Sequence, residues 1–219
     1  MNLSMIEELL RNTLPLEYGI TRTNINLTVR TASGEFEEGD AKACTDCKKK
    51  FPGRAACNEK VMKVDAGEHT ITIVEHEAYL NQFNGRAMAN GGRCDLILFN
   101  EDPISKIVFC DMGCCMERYE ASKRAKARKQ TTDSIKRFHN KESGRNFIIR
   151  FTDKQLVFFR RDSALTTQPL GPVRGNVNRN TQVFIKTPIS TSTYVESKEY
   201  IDDIQVDFVI INYPNAYRW

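Results

Sequence analysis

Alternating apolar and polar positions mark the strands of this chain. Residues 25–29 alternate with a period of two, which is typical of a half-buried strand, and residues 69–74 (HTITIV) are rich in β-branched side chains. Two more apolar runs, 93–99 and 104–111, are separated by Asn-Glu-Asp-Pro, a strong hairpin signal. Because both runs are apolar at successive positions, we expect this hairpin to lie inside a sheet whose two faces are covered.

Helical signals flank these strands. Ser4 and Glu7 fit a capping box, which predicts a first helix that runs to about Thr13 and stops before Pro15. After the hairpin, the pattern predicts a helix of roughly six turns over residues 116–139.

The remaining segments carry weaker patterns. Residues 34–40 are predicted to form an acidic turn or loop, and residues 43–63 to lack a regular element. Phe147, Ile149 and Phe151 are expected to share one face of a strand. The further predicted strands cover residues 146–151, 155–160, 181–186 and 205–212.

This order of elements predicts an α+β protein with a mixed or antiparallel central sheet, in which a long basic helix follows a buried hairpin. Proline, glycine and asparagine are concentrated in residues 163–180, which predicts an extended loop and an internal boundary. We therefore predict a core domain over residues 1–162, with a cysteine-rich insertion at 41–63. A β-rich extension over residues 163–219 is predicted to pack on the same core.

Composition is that of an ordinary globular protein. The 219 residues are 40% hydrophobic and 27% charged, which disfavours both wholesale disorder and residence in a membrane. Glu7 and Glu8 interrupt the segment where a secretory signal needs an unbroken apolar core. We therefore expect a cytoplasmic protein whose seven cysteines are free thiols or metal ligands rather than disulfides.

Positive charge is concentrated in the predicted long helix. The net charge is only +4, but eight basic residues between Arg118 and Arg137 are offset there by Glu120 and Asp133 alone. Such a helix binds phosphate backbones or acidic protein surfaces, or is simply solvated. The residues that we expect to contact nucleic acid or an acidic protein partner are Arg118, Lys123, Arg124, Lys126, Arg128 and Lys129.

Two aspartates stand at one end of the predicted hairpin. If the hairpin turns symmetrically about Asp102, Cys94 faces Cys110 and Asp95 lies diagonally across from Asp111. Since strand side chains alternate between faces, both aspartates are predicted on one face and both cysteines on the other. Diagonal neighbours are roughly 7–8 Å apart, close enough for two carboxylates to share a divalent cation such as Mg²⁺ or Mn²⁺.

The acids follow a definite order, with one in an early helix, one on each strand of the hairpin, and then a helix. This order resembles the core of the PD-(D/E)XK, or restriction-endonuclease-like, nucleases over at most residues 69–160. The matching residues are Arg93-Cys94-Asp95-Leu96, Val108-Phe109-Cys110-Asp111 and, in the first helix, Glu7 or Glu8.

The resemblance implies Mg²⁺-dependent processing of nucleic acid, with Asp95, Asp111 and Glu8 at the metal. In that family a lysine stands two residues after the second acid, where this chain has Gly113. Lys123 of the following helix is the nearest replacement that could stabilise developing negative charge. Without such a cation, the resemblance implies a degenerate relative that binds nucleic acid but does not cut it.

A second hypothesis comes from the cysteines. Cys44, Cys47 and Cys57 lie within fourteen residues, and His69 follows after eleven more. Tetrahedral zinc needs four such ligands, so the pattern predicts a structural Zn²⁺ site. With the basic helix, it predicts a non-catalytic subunit of a larger complex that docks a partner protein or RNA. The fourth ligand stays open among His69, His76, Cys114 and Cys115.

Simpler explanations exist for the same residues. Aspartates at strand ends often cap turns or pair with a neighbouring arginine, here Arg93, and Cys94 and Cys110 suit small buried hydrophobic positions. The sequence has no P-loop, dinucleotide fingerprint, kinase motif set or nucleophile elbow, which removes several enzyme classes.

Overall fold

The computed structural model describes residues 4–40, 60–115, 120–162, 194–213 and 215–219. Within them, eight strands form one mixed sheet with helices on one face, which confirms the α+β class. The strands are β1 (Val29–Asp40), β2 (Lys60–Glu75), β3 (Leu96–Glu101), β4 (Ile104–Cys115), β5 (Asp153–Asp162), β6 (Tyr194–Ile201), β7 (Ile204–Asn212) and β8 (Tyr217–Arg218).

The sheet order is β1-β2-β3-β4-β5-β7-β6, and β8 pairs with β2. Strands β1 to β4 form an antiparallel meander, whereas β4, β5 and β7 run parallel. A parallel step from β4 to β5 needs a crossover connection, and the long basic helix provides it.

The helices lie on one face of the sheet. Their described segments are α1 (Met5–Glu8, a π-helical turn Leu9–Thr13, and Leu14–Glu17), α2 (His76–Asn81), α3 (Glu120–His139) and α4 (Glu142–Ile148). No helix in these described ranges is both long enough and apolar enough to cross a membrane.

The β3–β4 hairpin is confirmed as an interior element with both faces buried. Ile97 and Phe109 pair directly and join the core beneath the helices. Leu98 and Val108 also pair and join a second core on the opposite face. The register places Leu96 opposite Cys110, so the predicted pairing of Cys94 with Cys110 is wrong by two residues.

The second core lies under an arm formed by residues 35–40 of β1 and 60–66 of β2. Met62 and Val64 of the arm pack with Cys110 of β4 and Phe159 of β5, although β2 is not hydrogen-bonded to either strand. Tyr217 closes this core, because β8 pairs with the arm at Val64. The sheet therefore buries both faces, one under helices and one under its own folded edge.

Two predicted elements near the N-terminus differ in the structure. The first helix continues beyond Pro15 to Glu17, because the π-helical turn removes the need for an amide hydrogen at the proline. Residues 25–28 precede β1 rather than belonging to it, and the Arg11 guanidinium binds the carbonyls of Ile25 and Leu27.

The predicted acidic loop 34–40 is instead the second half of β1, after a bulge at Gly34, whose φ of 67° favours glycine.

The predicted strand 146–151 is wrong as well. Residues 142–148 form α4, and Ile149 is 59% exposed while Phe147 and Phe151 are buried. The two phenylalanines are four residues apart, a spacing that suits a helix turn as well as one strand face. Strand β5 pairs with β4 and β7, not with this segment.

Candidate functional site

Asp95 stands at a bend just before β3. Its amide donates to the Cys110 carbonyl at 2.9 Å, and its own carbonyl accepts from the amides of His76 (3.0 Å) and Glu77 (3.3 Å). Its carboxylate Oδ2 accepts from the Met112 amide at 2.6 Å. The side chain therefore reaches across to β4 and lies beside the residue that follows Asp111.

Asp111 occupies β4, where it is 8% exposed. It lies two residues beyond Phe109, so it faces the helices, and it is in register with Phe158 of β5. The Asp95 carboxylate therefore lies against the β4 backbone next to Asp111. Burying a carboxylate, as for Asp111, costs free energy unless positive charge or donors offset it.

The glycine at the lysine position of the resembled family is explained by Phe158. A Cβ on Gly113 would lie 2.6 Å from Cε2 and 3.0 Å from Cζ of that ring. Any side chain at this position therefore requires the phenylalanine to move. Arg160 of β5 is in register with Gly113, and it binds Glu120 of α3 at 2.7 Å.

Lys123 lies at the start of α3, close to this end of the sheet. It is half-buried and stands one turn before Ala127, which is fully buried against the core. Glu120 of the same turn contacts Arg160, so this turn lies over the ends of β4 and β5. The role of Lys123 beside Asp111 stays a prediction.

The segment that carries Asp95 is held by polar side chains of α3. Ser134 accepts from the Cys94 amide at 2.9 Å, and Asp133 accepts from the Gly92 amide at 2.6 Å. Gln130 donates to the Arg93 carbonyl at 2.8 Å, while Arg137 donates to the carbonyls of Asn90 (2.8 Å) and Gly92 (2.9 Å). These contacts fix the backbone that leads into the site.

Sequence reasoning missed this role. The signal was present, because Gln130, Asp133, Ser134 and Arg137 have the spacing of one helix face. In the sequence, a polar helix face that binds another segment cannot be distinguished from one that faces solvent. Arg93 does not take the predicted role of pairing with Asp95 in the contacts described, since its guanidinium binds Ala89 and Asn81.

Cys94 contacts His76 under the helices. Its Sγ lies 3.2 Å from Nδ1 of His76, and both residues are fully buried. Burial lowers the pKa of His76 to about 3, with the charge of Arg137 acting in the same direction, and burial raises the pKa of the Cys94 thiol. Both groups are neutral at pH 7, so the pair is not an activated nucleophile.

The predicted sharing of one face by the two cysteines is wrong. Cys94 joins the helix-covered core because the bend at Asp95 interrupts strand alternation. Cys110 lies on the other face, with its Sγ 3.2 Å from Sδ of Met62.

Glu8 is not brought to the two aspartates. Its side chain is exposed on α1 and accepts from the Asn12 amide group at 2.8 Å. Glu77 is the acidic residue whose backbone contacts Asp95, and its position after a strand gave no sequence signal. In the part of the chain that the structure describes, no three His, Cys, Asp or Glu side chains are grouped to hold a metal.

The proposed zinc ligands fall mostly outside the described ranges. Cys44, Cys47 and Cys57 lie outside the described residues, so the zinc site stays a prediction. His69 is half-buried in β2, and the alternative ligand His76 is fully buried beside Cys94.

Several residues of the basic helix are engaged within the chain. Arg124 binds Glu196 of β6 at 3.0 Å, and Arg128 binds Glu199 at 2.9 Å. The Arg128 guanidinium also lies 4.5 Å from the centre of the Phe208 ring. Lys126 and Lys129 are exposed, Lys129 contacts Asp133 at 2.6 Å, and Arg118 lies outside the described residues.

Comparison with known proteins gave no relative, since no protein-family model, no curated protein and no solved structure matches the chain.

Proposed function

We propose that this chain is a nucleic-acid-processing protein of the metal-dependent nuclease type, in which Asp95 and Asp111 hold Mg²⁺ or Mn²⁺. The observation that carries the proposal is the position of the Asp95 carboxylate against the β4 backbone next to Asp111. Asp111 is buried, and Asp95 hydrogen-bonds to the amide next to it. Carboxylate oxygens are the ligands that these cations prefer, and Mg²⁺ commonly needs only one or two of them because it keeps several waters.

The order of elements around the carboxylates also supports the proposal. One acid precedes β3, the second lies on β4, and α3 follows, which is the order of the family that the sequence resembles. Glu8 has no part in this proposal, because its exposed side chain is bound to Asn12.

The residues around the cation would have distinct tasks in this mechanism. When bound, the cation would polarise a phosphoryl oxygen and lower the pKa of a bound water. Asp95 and Asp111 would fix its position, and Lys123 would stabilise negative charge that develops on the phosphate. Ser134 and its neighbours on α3 would keep the Asp95 segment in place.

The test is a cleavage assay on single- and double-stranded DNA and RNA with Mg²⁺ or Mn²⁺. We expect Asp95→Asn and Asp111→Asn each to lower the rate by about 100-fold or more, as loss of electrostatic stabilisation does elsewhere. Glu101→Gln is the matched control, since Glu101 is exposed at the turn end of the same hairpin. Cleavage that persists in both aspartate variants would contradict the proposal.

One observation favours a second candidate function. Phe158 fills the space next to Gly113, which suits a domain that has lost catalysis and kept binding. In that case the chain is a non-catalytic subunit with zinc in its cysteine-rich segment, docking RNA or a partner protein through α3. It would contain about one zinc per chain by elemental analysis, reduced in Cys44→Ser, and would not cleave nucleic acid. Folded protein without zinc would contradict this second function.

A further inference from the structure

We infer that a groove on the outer side of α3 binds a phosphate group. The groove has a volume of about 410 Å³ and lies between α1, residues 87–91 and the last turns of α3. Neither Asp95 nor Asp111 lines it, so the inference does not rest on the proposed cation site. Its polar lining residues are Tyr18, Asn90, Lys129, Asp133, Lys136, Arg137 and Asn140.

Arg137 is the central cation of this groove. Its side chain is almost fully buried, with 4% exposed, and Nη2 is fixed by the carbonyls of Asn90 and Gly92. Nη1 has no acceptor, and no carboxylate lies within 4 Å of the guanidinium, in the described part of the chain. A buried guanidinium without a counter-ion is costly, and an anion in the groove would offset that cost.

The one carboxylate in the groove makes its direct contacts elsewhere. Asp133 accepts from Lys129 and from the Gly92 amide, both at 2.6 Å. Burial would raise the pKa of Asp133, but these hydrogen bonds, with the charges of Lys129 and Arg137, lower it below its ordinary value. Asp133 is therefore shared between Lys129, which it contacts, and Arg137, on which its charge acts without a hydrogen bond.

Further positive charge surrounds the groove. Lys136 is exposed at its rim, and Nζ of Lys141 lies 4.5 Å from the centre of the Tyr18 ring, which lines the groove. The C-terminal end of α3 contributes about half a negative charge, which disfavours an anion, but Arg137 and Lys136 outweigh it with two full charges.

The arrangement of donors favours phosphate among anions. Arg137 offers the unpartnered Nη1, Lys136 a mobile ammonium, and Asn140 an exposed amide at the end of the helix. Donors that approach from several directions suit a group with three or more oxygens. The phosphate could belong to a free nucleotide or to a nucleic acid strand, and the test separates the two.

The test is calorimetric titration of the full chain with inorganic phosphate in a buffer containing EDTA. We expect binding that Lys136→Ala weakens by about threefold to tenfold and Arg137→Lys by more, because a lysine that holds the Asn90 and Gly92 carbonyls has no second nitrogen for the anion. Lys198→Ala is the control, since Lys198 is an exposed cation of β6 outside the groove, and it should change affinity less than twofold.

Two further titrations identify the source of the phosphate. A mononucleotide and a short single-stranded oligonucleotide are compared with inorganic phosphate, and the tighter ligand should lose affinity in the same variants. If Arg137→Lys does not fold, Lys136→Ala and Asn140→Ala carry the test, because both residues are exposed. Absence of phosphate binding, or equal weakening in Lys198→Ala, would overturn the inference.

Discussion

The helix-covered face of the central sheet buries several ionisable side chains, whereas the face under the β1–β2 arm buries mainly apolar ones, with Glu38 paired to Arg30 at its edge. Asp111, His76 and Arg137 lie beneath or within the helix layer, with Cys94 among them. The opposite core consists of aliphatic and aromatic residues with methionine and Cys110. Adjacent residues of one strand, such as Ile97 and Leu98, thus face different chemical environments.

This difference shows which face of the sheet contains side chains that lower the stability of the fold. Buried polar groups lower stability unless they are hydrogen-bonded, and a face with no task is most stable when it is apolar. The polar groups of the helix-covered face concentrate around the segment 90–95 that leads into Asp95. We therefore interpret that face as the functional one and the arm-covered face as the structural one.

The largest expected effect tests whether both faces are sealed cores. Ile97→Ala and Leu98→Ala should each lower the free energy of unfolding by about 2–5 kcal/mol, because both side chains are fully buried. Chemical denaturation measures both. A cost under about 1 kcal/mol for Leu98→Ala would mean that the arm does not cover a true core.

The next effect is a pH dependence specific to the helix-covered face. The pKa of His76 is about 3 in the folded chain and near 6.5 when unfolded, so the unfolded state binds the extra proton between these values. Stability is therefore lost as the pH falls from 6.5 towards 3, by up to about 1.4 kcal/mol per pH unit. Wild type and His76→Gln are compared by denaturation from pH 7 to pH 4.5, and equal slopes would refute this assignment.

A smaller effect is expected for the clamp, the set of α3 side chains that hold the Asp95 segment: Gln130, Asp133, Ser134 and Arg137. Ser134→Ala leaves the buried Cys94 amide without its acceptor and should cost about 1–3 kcal/mol. If the clamp positions Asp95, the variant should also weaken Mn²⁺ binding. Thr132→Ala, on the same helix and only half-buried, is the control. Unchanged Mn²⁺ affinity in folded Ser134→Ala would limit the clamp to a structural role.

The smallest effect concerns the ion pairs between α3 and β6. Glu199→Gln removes the partner of Arg128 at a partly exposed position and should cost at most about 1 kcal/mol, falling further at high salt. Denaturation at low and high salt measures this. A loss of several kcal/mol would mean that these pairs are essential to holding the helix on the sheet.

The sequence predicted the elements whose patterns are unambiguous. The β3–β4 hairpin was recognisable because both runs are apolar and a turn separates them. Its parity predicted the wrong face for Cys94, because the bend at Asp95 interrupts strand alternation. Register could not be predicted, since it depends on where the turn begins. Segment 146–151 was assigned wrongly because the spacing of Phe147 and Phe151 fits both a strand and a helix.

The surroundings of the site could not be predicted from the sequence, for a different reason. Phe158 is about 45 residues from Gly113 in sequence, and only the parallel pairing of β4 with β5 brings the ring over the glycine. The clamp from α3 likewise joins residues 130–137 to residues 90–94. Such contacts depend on tertiary structure, which a local pattern does not encode.

Equilibrium Mn²⁺ binding to the metal-free full chain, followed by electron paramagnetic resonance of the free ion, tests the central claim most directly. The account predicts binding by wild type and by Glu101→Gln, and its loss in Asp95→Asn and Asp111→Asn with the fold retained. No binding by wild type, or equal binding by both aspartate variants, would contradict the assignment of Asp95 and Asp111 as a cation site.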